Sequence, residues 1–453
     1  MTAMLDYQAA VESVWSFGDY FEKRSDHTYA TAGVELGRVR RLLDRLGSPE
    51  RRFRVVTVAG TNGKGSTSAM IAGIFKSAGL ATGLYTQPHL HSYRERIQVG
   101  GLPIEPDSFV RLTNQVVEAA RSVNTEQPKE YGLSAYEVGT ALALRHFADV
   151  GVGVAVLEVG LGGRLDAVNA VDPDLVVITP ISRDHVNVLG STLPRIAAEK
   201  AGVMRAGRPV VIAPQRESAR RELARRVRAV GALPTWIGGD EVPQAGSVEL
   251  DRPSPGQAFP LRTEDRDYGT VTLSLLGHHQ RLNALVATVA AERLLPGVDR
   301  EVILEGLAGA RWPGRLEVAG TSPAFILDGA HNDHSASVLA ESLRELAPDS
   351  LPATIVLGCL RGKDSGAILR KLEPIASRYW ITASQHPRAV PVYELSRQVR
   401  TMSNKEVGEA ATPAQALDRA TRASRSAGLI VVTGSLSVVA EAREHLGLPI
   451  TVP

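Results

Sequence analysis

The chain of 453 residues has a single cysteine, Cys359. An intrachain disulfide is therefore excluded, as is a metal site built on cysteine, and a reducing compartment is the expectation. An excess of either charge is also lacking. Lys and Arg total 51 against 49 Asp and Glu, a formal charge of +2, which offers no broad basic face to a nucleic acid and no basic patch to a membrane. The Arg-rich stretch Arg216 to Arg228 reads as the solvated face of a helix. No apolar run approaches the length of a membrane span, and Met1 to Phe17 lacks a basic segment followed by an apolar one. These absences predict a cytoplasmic protein with neither a nucleic-acid nor a membrane partner. Its length exceeds one ordinary core, so more than one domain is expected.

What the sequence does have is concentrated first in residues 55 to 67. The β-branched run Val55-Val56-Thr57-Val58-Ala59 breaks at Gly60-Thr61-Asn62-Gly63-Lys64-Gly65-Ser66-Thr67, after which a helical pattern begins. Strand, glycine-rich loop and helix together turn backbone N–H groups around an anion, with Lys64 as a mobile positive charge and the helix dipole aimed at the same point. A nucleoside triphosphate suits that geometry. In the standard P-loop a Ser or Thr follows the lysine and holds Mg²⁺, whereas here Gly65 does, so another group has to serve the metal.

Further along, helical spacing is expected over 6–22 and 35–46, the latter with Val34, Leu36, Val39, Leu42, Leu43 and Leu46 on one face. Gln87-Pro88-His89-Leu90-His91-Ser92-Tyr93-Arg94-Glu95-Arg96 is a chemically dense loop, either functional or merely solvated. Val154 to Gly160 reads as a buried strand carrying Glu158 at its carboxyl end. A carboxylate there needs a partner, which is Mg²⁺ or a structural salt bridge. Asp184-His185 follows the strand at Leu175 to Thr179, with His185 either a ligand or a structural histidine. Glu199-Lys200, in a helix over 194–204, reads by itself as an exposed ion pair. A small antiparallel addition is expected between Gly231 and Leu276, then a long helix from Gly277 to Leu295. Pro296 to Gly320 is the interdomain region, beyond which strands at 324–327, 354–357, 379–383 and 429–433 alternate with helices. The polar loops Asp328-Gly329-Ala330-His331-Asn332, Arg361-Gly362-Lys363-Asp364 and Thr433-Gly434-Ser435 end strands and would face a cleft. The fold class is α/β, with a P-loop mononucleotide-binding domain over 1–297 and a smaller Rossmann-like α/β domain over 298–453.

The phosphate loop, Pro88-His89-Leu90, Leu157-Glu158-Val159-Gly160-Leu161-Gly162-Gly163-Arg164-Leu165-Asp166, Asp184-His185, Glu199-Lys200-Ala201-Gly202, Trp312-Pro313-Gly314-Arg315 and Leu327-Asp328-Gly329-Ala330-His331-Asn332 occur in order along nearly the whole chain. Together they resemble the folylpolyglutamate synthase and dihydrofolate synthase family, within the Mur ligases. The resemblance implies an ATP-dependent amide ligase that adds L-glutamate to a folate or dihydropteroate carboxylate through an acyl phosphate. It implies ATP and two Mg²⁺ ions, with Glu158 and His185 as metal ligands, Lys64 on the triphosphate and a carbamylated Lys200 supporting the metal site. Asn283, Arg315 and Asp328 would contact the nucleotide, His331 would lie near the incoming glutamate, and the protein would act as a monomer.

Two departures from the family pattern stand out. Gln87 occupies the position of a serine that binds Mg²⁺, so its amide oxygen is expected to serve, directly or through water. Asn332-Asp333 replaces Asn-Pro and is expected to bring a negative charge toward the glutamate site. The alternatives are a Mur-type peptide ligase with another acceptor and a nucleotide-regulated binding protein with little turnover.

Overall fold

The computed structural model describes residues 2–18, 36–126, 132–238, 242–243, 247–249, 256–320, 323–424 and 428–450. The expectations at 19–22, Val34 and residue 35 lie outside them. Aliphatic runs build the central sheet of the first unit: β1 (Arg54–Ala59), β2 (Thr82–Tyr85), β3 (Ile97–Val99), β4 (Leu102–Pro103), β5 (Val154–Glu158), β6 (Leu175–Ile178), β7 (Pro209–Ile212) and β8 (Leu233–Trp236). Their order is β4-β3-β2-β5-β1-β6-β7-β8. The strands from β2 to β8 in that order run parallel, while β3 and β4 form an antiparallel edge.

Alternation along the strands supplies both faces of the sheet, as a doubly covered sheet requires. Val55, Ala155, Leu157, Val176 and Ile178 face one core with the helices Leu36–Arg45, Pro106–Glu126 and Ala135–Asp149. Val56, Val58, Val156 and Val177 face the other, with the helices Lys64–Ser77, His278–Leu294 and Arg300–Gly309. On this second face lies a three-stranded antiparallel sheet of β9 (Ser247–Glu249), β10 (Gly256–Arg262) and β11 (Asp267–Leu273), from which Phe259, Leu261 and Leu273 enter the same core.

The second unit has its own sheet, from β12 (Glu317–Ala319), β13 (Ala324–Leu327), β14 (Ala353–Leu357), β15 (Ala376–Ile381), β16 (Glu406–Glu409) and β17 (Leu429–Thr433), in the order β12-β13-β17-β14-β15-β16. All neighbours are parallel except β12 with β13.

Three expectations need correction. The first helix is Thr2–Trp15, with Gly18 at φ +70 beyond it, a backbone region that glycine tolerates and a helix does not use. Leu233–Trp236 pairs parallel with β7 and belongs to the main sheet, so the antiparallel addition is confined to β9–β11. The helix Arg300–Gly309 packs with the first unit: a Cβ on Gly306 would lie 2.4 Å from the Ile74 Cα, and Ile303 and Leu307 are in that unit's core. The chain therefore crosses to the second unit after residue 309, beyond the boundary at 297/298 expected from Pro296.

Candidate active site

The carboxyl ends of the parallel strands in both sheets open onto one cleft of about 1100 Å³, lined from both units. At its floor β1 leads into the phosphate loop and the helix Lys64–Ser77. Gly63 stands at the N-cap with φ +81, and no side chain caps the helix. Its first N–H groups are therefore available to an anion. Gly63 also admits Asn283, whose Oδ1 would be 2.5 Å from a Cβ there. Asn283 in turn donates to Gln280 Oε1 at 2.9 Å, and Gln280 donates to Ser66 Oγ at 3.3 Å. The loop is tied to the β6 end as Thr61 and Asn62 N–H groups donate to the Pro180 carbonyl and the Asn62 amide donates to Ser182 Oγ at 2.8 Å. Lys64 Nζ donates to the Thr61 carbonyl at 3.2 Å, folded over the loop it serves. Thr67 Oγ1 is buried without a hydrogen-bond partner in the first turn of the helix.

Gly65, which follows the lysine in place of a hydroxyl residue, has a packing reason. Trp312 lies against it, so that a Cβ on Gly65 would be 2.8 Å from the ring. The residue that removes a metal-binding hydroxyl is thus the residue that seats the linker on the phosphate loop.

Glu158 ends β5, only 5% exposed. Burial raises its carboxyl above the usual range, opposed by Lys64 and by the Gln87 N–H, which donates to Oε2 at 3.2 Å. Gln87 is thereby held beside Glu158 through its backbone, while its side-chain nitrogen is buried near Gly160 with no acceptor. The amide turned about would place its oxygen there instead. Asp166, expected only as a member of a charged loop, shapes that loop: its carboxylate accepts from Tyr136 Oη at 2.7 Å, from the N–H groups of Gly160 and Leu161 at 2.9 Å each, and from Val168 N–H at 3.0 Å.

Lys200 corrects the reading of Glu199-Lys200 as an exposed pair. Glu199 bonds Arg164, and Lys200 turns inward, 5% exposed, to donate from Nζ to the Gly60 carbonyl. Desolvation, with Lys64 nearby, pulls its amine down to about 7. His185 is placed differently from Glu158. It is a half-exposed ring at φ +48, with Asp184 Oδ2 3.9 Å from its Nε2. Asp184 also faces Lys363 Nζ of the second unit at 3.9 Å. Among the described residues no group of three or more His, Cys, Asp or Glu side chains forms a metal cage. That donor set still fits Mg²⁺, which takes one or two carboxylates and otherwise keeps phosphate and water oxygens.

The opposite wall comes from the second unit. Asp328 directly follows β13 and accepts from Leu316 and Ala330 N–H groups at 2.9 Å each, with Arg315 as its nearby cation. Arg315 donates to the Gly314 carbonyl at 3.2 Å. His331 Nδ1 lies 2.8 Å from the Gly329 carbonyl, which can only accept, so the ring carries its proton on Nδ1 and leaves Nε2 as an acceptor. Burial, reinforced by Lys363, lowers its pKa to about 4, and the ring is neutral near pH 7. Asp333 does not enter the cleft as expected. It is in the first turn of the helix Asp333–Leu346, where it is 61% exposed and 3.8 Å from Lys371.

Lys64, Gln87, Glu158, His185, Asn283, Arg315, Asp328 and His331 all line the cleft. Sequence reasoning passed over Gln280, Trp312 and Tyr136 as site-forming groups. Only Trp312 carried a local signal, an aromatic beside Pro-Gly-Arg; the other two sit in ordinary helical patterns.

The comparisons with known proteins agree with this geometry. A model of the Mur ligase middle domain matches residues 58–291, and one of the Mur ligase glutamate ligase domain matches residues 314–436. A dihydrofolate synthase/folylpolyglutamate synthase of Bacillus subtilis is 35% identical over 425 residues, covering 91% of this chain and 94% of the relative. Among solved structures, Mycobacterium tuberculosis folylpolyglutamate synthase complexed with ADP is similar with a TM-score of 0.87 at 30% identity, covering 97% of this chain and 99% of that one. Escherichia coli FolC in complex with DHPP and ADP gives a TM-score of 0.79 at 29% identity, with 97% of each chain covered. No helix among the described residues is long and apolar enough to cross a membrane. The chain belongs to the folylpolyglutamate synthase and dihydrofolate synthase family of Mur ligases.

Proposed function

We propose that the protein is an ATP-dependent ligase that joins L-glutamate to the carboxyl group of a folate or a dihydropteroate, releasing ADP and phosphate. The observation that carries this reading is the uncapped phosphate-loop helix facing Arg315, Asp328 and His331 of the second unit across one cleft. A carboxylate oxygen of the acceptor attacks the γ-phosphorus and ADP leaves. The glutamate amine then attacks the acyl carbon, phosphate leaves, and the amine gives up a proton. Such a sequence asks for charge neutralisation and alignment more than for a protein nucleophile.

Lys64 and the first N–H groups of its helix hold the triphosphate, joined by Arg315 from the other wall. Asn283, Asp328 and Arg315 contact the nucleotide. His331 Nε2 accepts a hydrogen bond from the glutamate amine and orients its lone pair toward the acyl carbon. Glu158, with Gln87 beside it and His185 nearer the rim, would hold Mg²⁺, which when bound neutralises charge on the phosphates. Lys200, neutral in a substantial fraction near pH 7, is an amine able to take up CO₂ as a carbamate. A monomeric state and a cytoplasmic location belong to the same proposal.

ADP release measured with dihydropteroate or tetrahydrofolate, each with and without glutamate, tests the reading. ADP formation should require glutamate together with at least one of the two acceptors, and Lys64→Ala should lower the rate by about 10²–10³-fold. Release independent of acceptor and glutamate, or near-normal turnover in a folded Lys64→Ala protein, would overturn it. A binding protein with little turnover would form no ADP that depends on both.

A further inference from the structure

The loop after β2 reaches across to the second unit through one side chain that the reaction does not use. His91 is 5% exposed. Its Nδ1 lies 3.0 Å from Glu444 Oε1 and its Nε2 lies 2.9 Å from Arg443 Nη1, both on the helix Leu436–His445. A guanidinium can only donate, so Nε2 accepts and Nδ1 donates to the carboxylate; one neutral tautomer satisfies both partners. Arg443 is 2% exposed and grips Glu317 through Nε at 2.8 Å and Nη2 at 3.1 Å. Glu317 Oε2 then accepts the Gly314 N–H at 2.8 Å, one residue before Arg315.

Both ends of this chain of contacts are stiff. Glu95 accepts from the N–H groups of Leu90, His91 and Ser92 at 2.7, 3.0 and 3.1 Å, which holds the loop in a single turn. Four residues before His91 the same loop begins at Gln87, whose N–H bonds Glu158. Leu90 packs with the second unit's core, and a Cβ on Gly314 would meet Leu90 at 3.8 Å and Val439 at 3.1 Å. We infer that His91, through Arg443 and Glu317, is a positioning residue that locks the loop carrying Gln87 to the turn carrying Arg315, so that the two walls of the cleft close in one register. This rests on the ligase reading for its effect on turnover, but the physical coupling does not depend on which acceptor is used.

His91→Leu keeps the bulk of the side chain and removes both hydrogen bonds, while His91→Gln keeps one acceptor and one donor. Hydrogen exchange is followed at residues 313–316 in the full chain without substrates, and ligation kinetics are measured in parallel. The Leu variant should exchange faster at 313–316, on the far unit from the substitution, and lose about tenfold in kcat/KM through kcat. Its melting temperature should stay within about 2 °C of the parent, and the Gln variant should stay within about threefold in kcat/KM. Unchanged exchange at 313–316 in His91→Leu, or a Gln variant as impaired as the Leu variant, would overturn the inference. If the parent protein ligates neither acceptor, the ligase reading fails, while the exchange measurement still decides the coupling.

Discussion

Lys200 is an amine enclosed by protein, bonded to the Gly60 carbonyl, and its pKa of about 7 decides its chemistry. Carbamate formation needs the lone pair of the neutral amine, which becomes more abundant as pH rises through that value. Protein freed of CO₂ should therefore regain activity faster at pH 8 than at pH 6 when the two are compared at equal dissolved CO₂, about tenfold if amine neutrality limits the rate. The carbamate carbon can be followed by NMR with labelled bicarbonate; equal recovery at both pH values argues for an ammonium that stays charged. Linkage has the same sign. The unfolded chain keeps this proton up to about pH 10 and the folded one only to about 7, so this group's contribution to stability rises with pH across that window. Gln87 invites a second residue-scale test. Gln87→Ala should raise the Mg²⁺ concentration for half-maximal ligation, and Gln87→Ser should keep activity if the loop moves inward. An unchanged Mg²⁺ dependence in both variants removes Gln87 from the metal. At this scale the identity of the charged groups was legible in sequence. Their direction was not: Glu199 and Lys200 are neighbours, yet one pairs with Arg164 at the surface and the other turns to Gly60, because helix geometry sends adjacent side chains to different faces.

The phosphate-loop helix shows how an element can be constrained from both ends. Its N-terminus is left uncapped for an anion, and its first turn must stay bare on the side where Trp312 rests. Gly65→Ala puts a methyl into the Trp312 ring and should cost about 1–3 kcal/mol in urea unfolding, with a matching loss of ligation. Adding Trp312→Leu should restore part of that stability, a non-additivity that a simple loss of loop flexibility would not produce. Strand positions were legible because β-branched runs between glycines have few other uses in a sheet buried on both faces. The antiparallel edge β3–β4 and the parallel edge strand β16 were not, since short, half-exposed strands such as Glu406–Glu409 lack an apolar pattern of their own.

Across the whole molecule, the two units are joined by Arg281 and Glu345. Arg281 is fully buried in the helix that carries Asn283, donates to Gln257 Oε1 at 2.9 Å and pairs with Glu345 at the end of the helix that begins beside His331. Removing the carboxylate leaves a buried guanidinium with one partner fewer. Glu345→Ala should lower stability by about 1–3 kcal/mol, less than a fully enclosed pair because Glu345 is 36% exposed. Replacing both partners by apolar residues, Arg281→Met with Glu345→Leu, should recover much of the loss. An unfolding midpoint unaltered by Glu345→Ala would show that the pair does not hold the units together.

The sequence by itself determined the phosphate loop, the alternation of strands and helices in each unit, and the strand-end placement of Glu158 and Asp328, because glycine spacing and apolar periodicity are local properties of a chain. Tertiary structure alone decided that the helix Arg300–Gly309 lies on the first unit, that Gly65 is bare for Trp312, and that His91 meets Arg443. Those contacts join residues tens to hundreds of positions apart, and which surfaces meet depends on how completed elements pack, which no local pattern encodes.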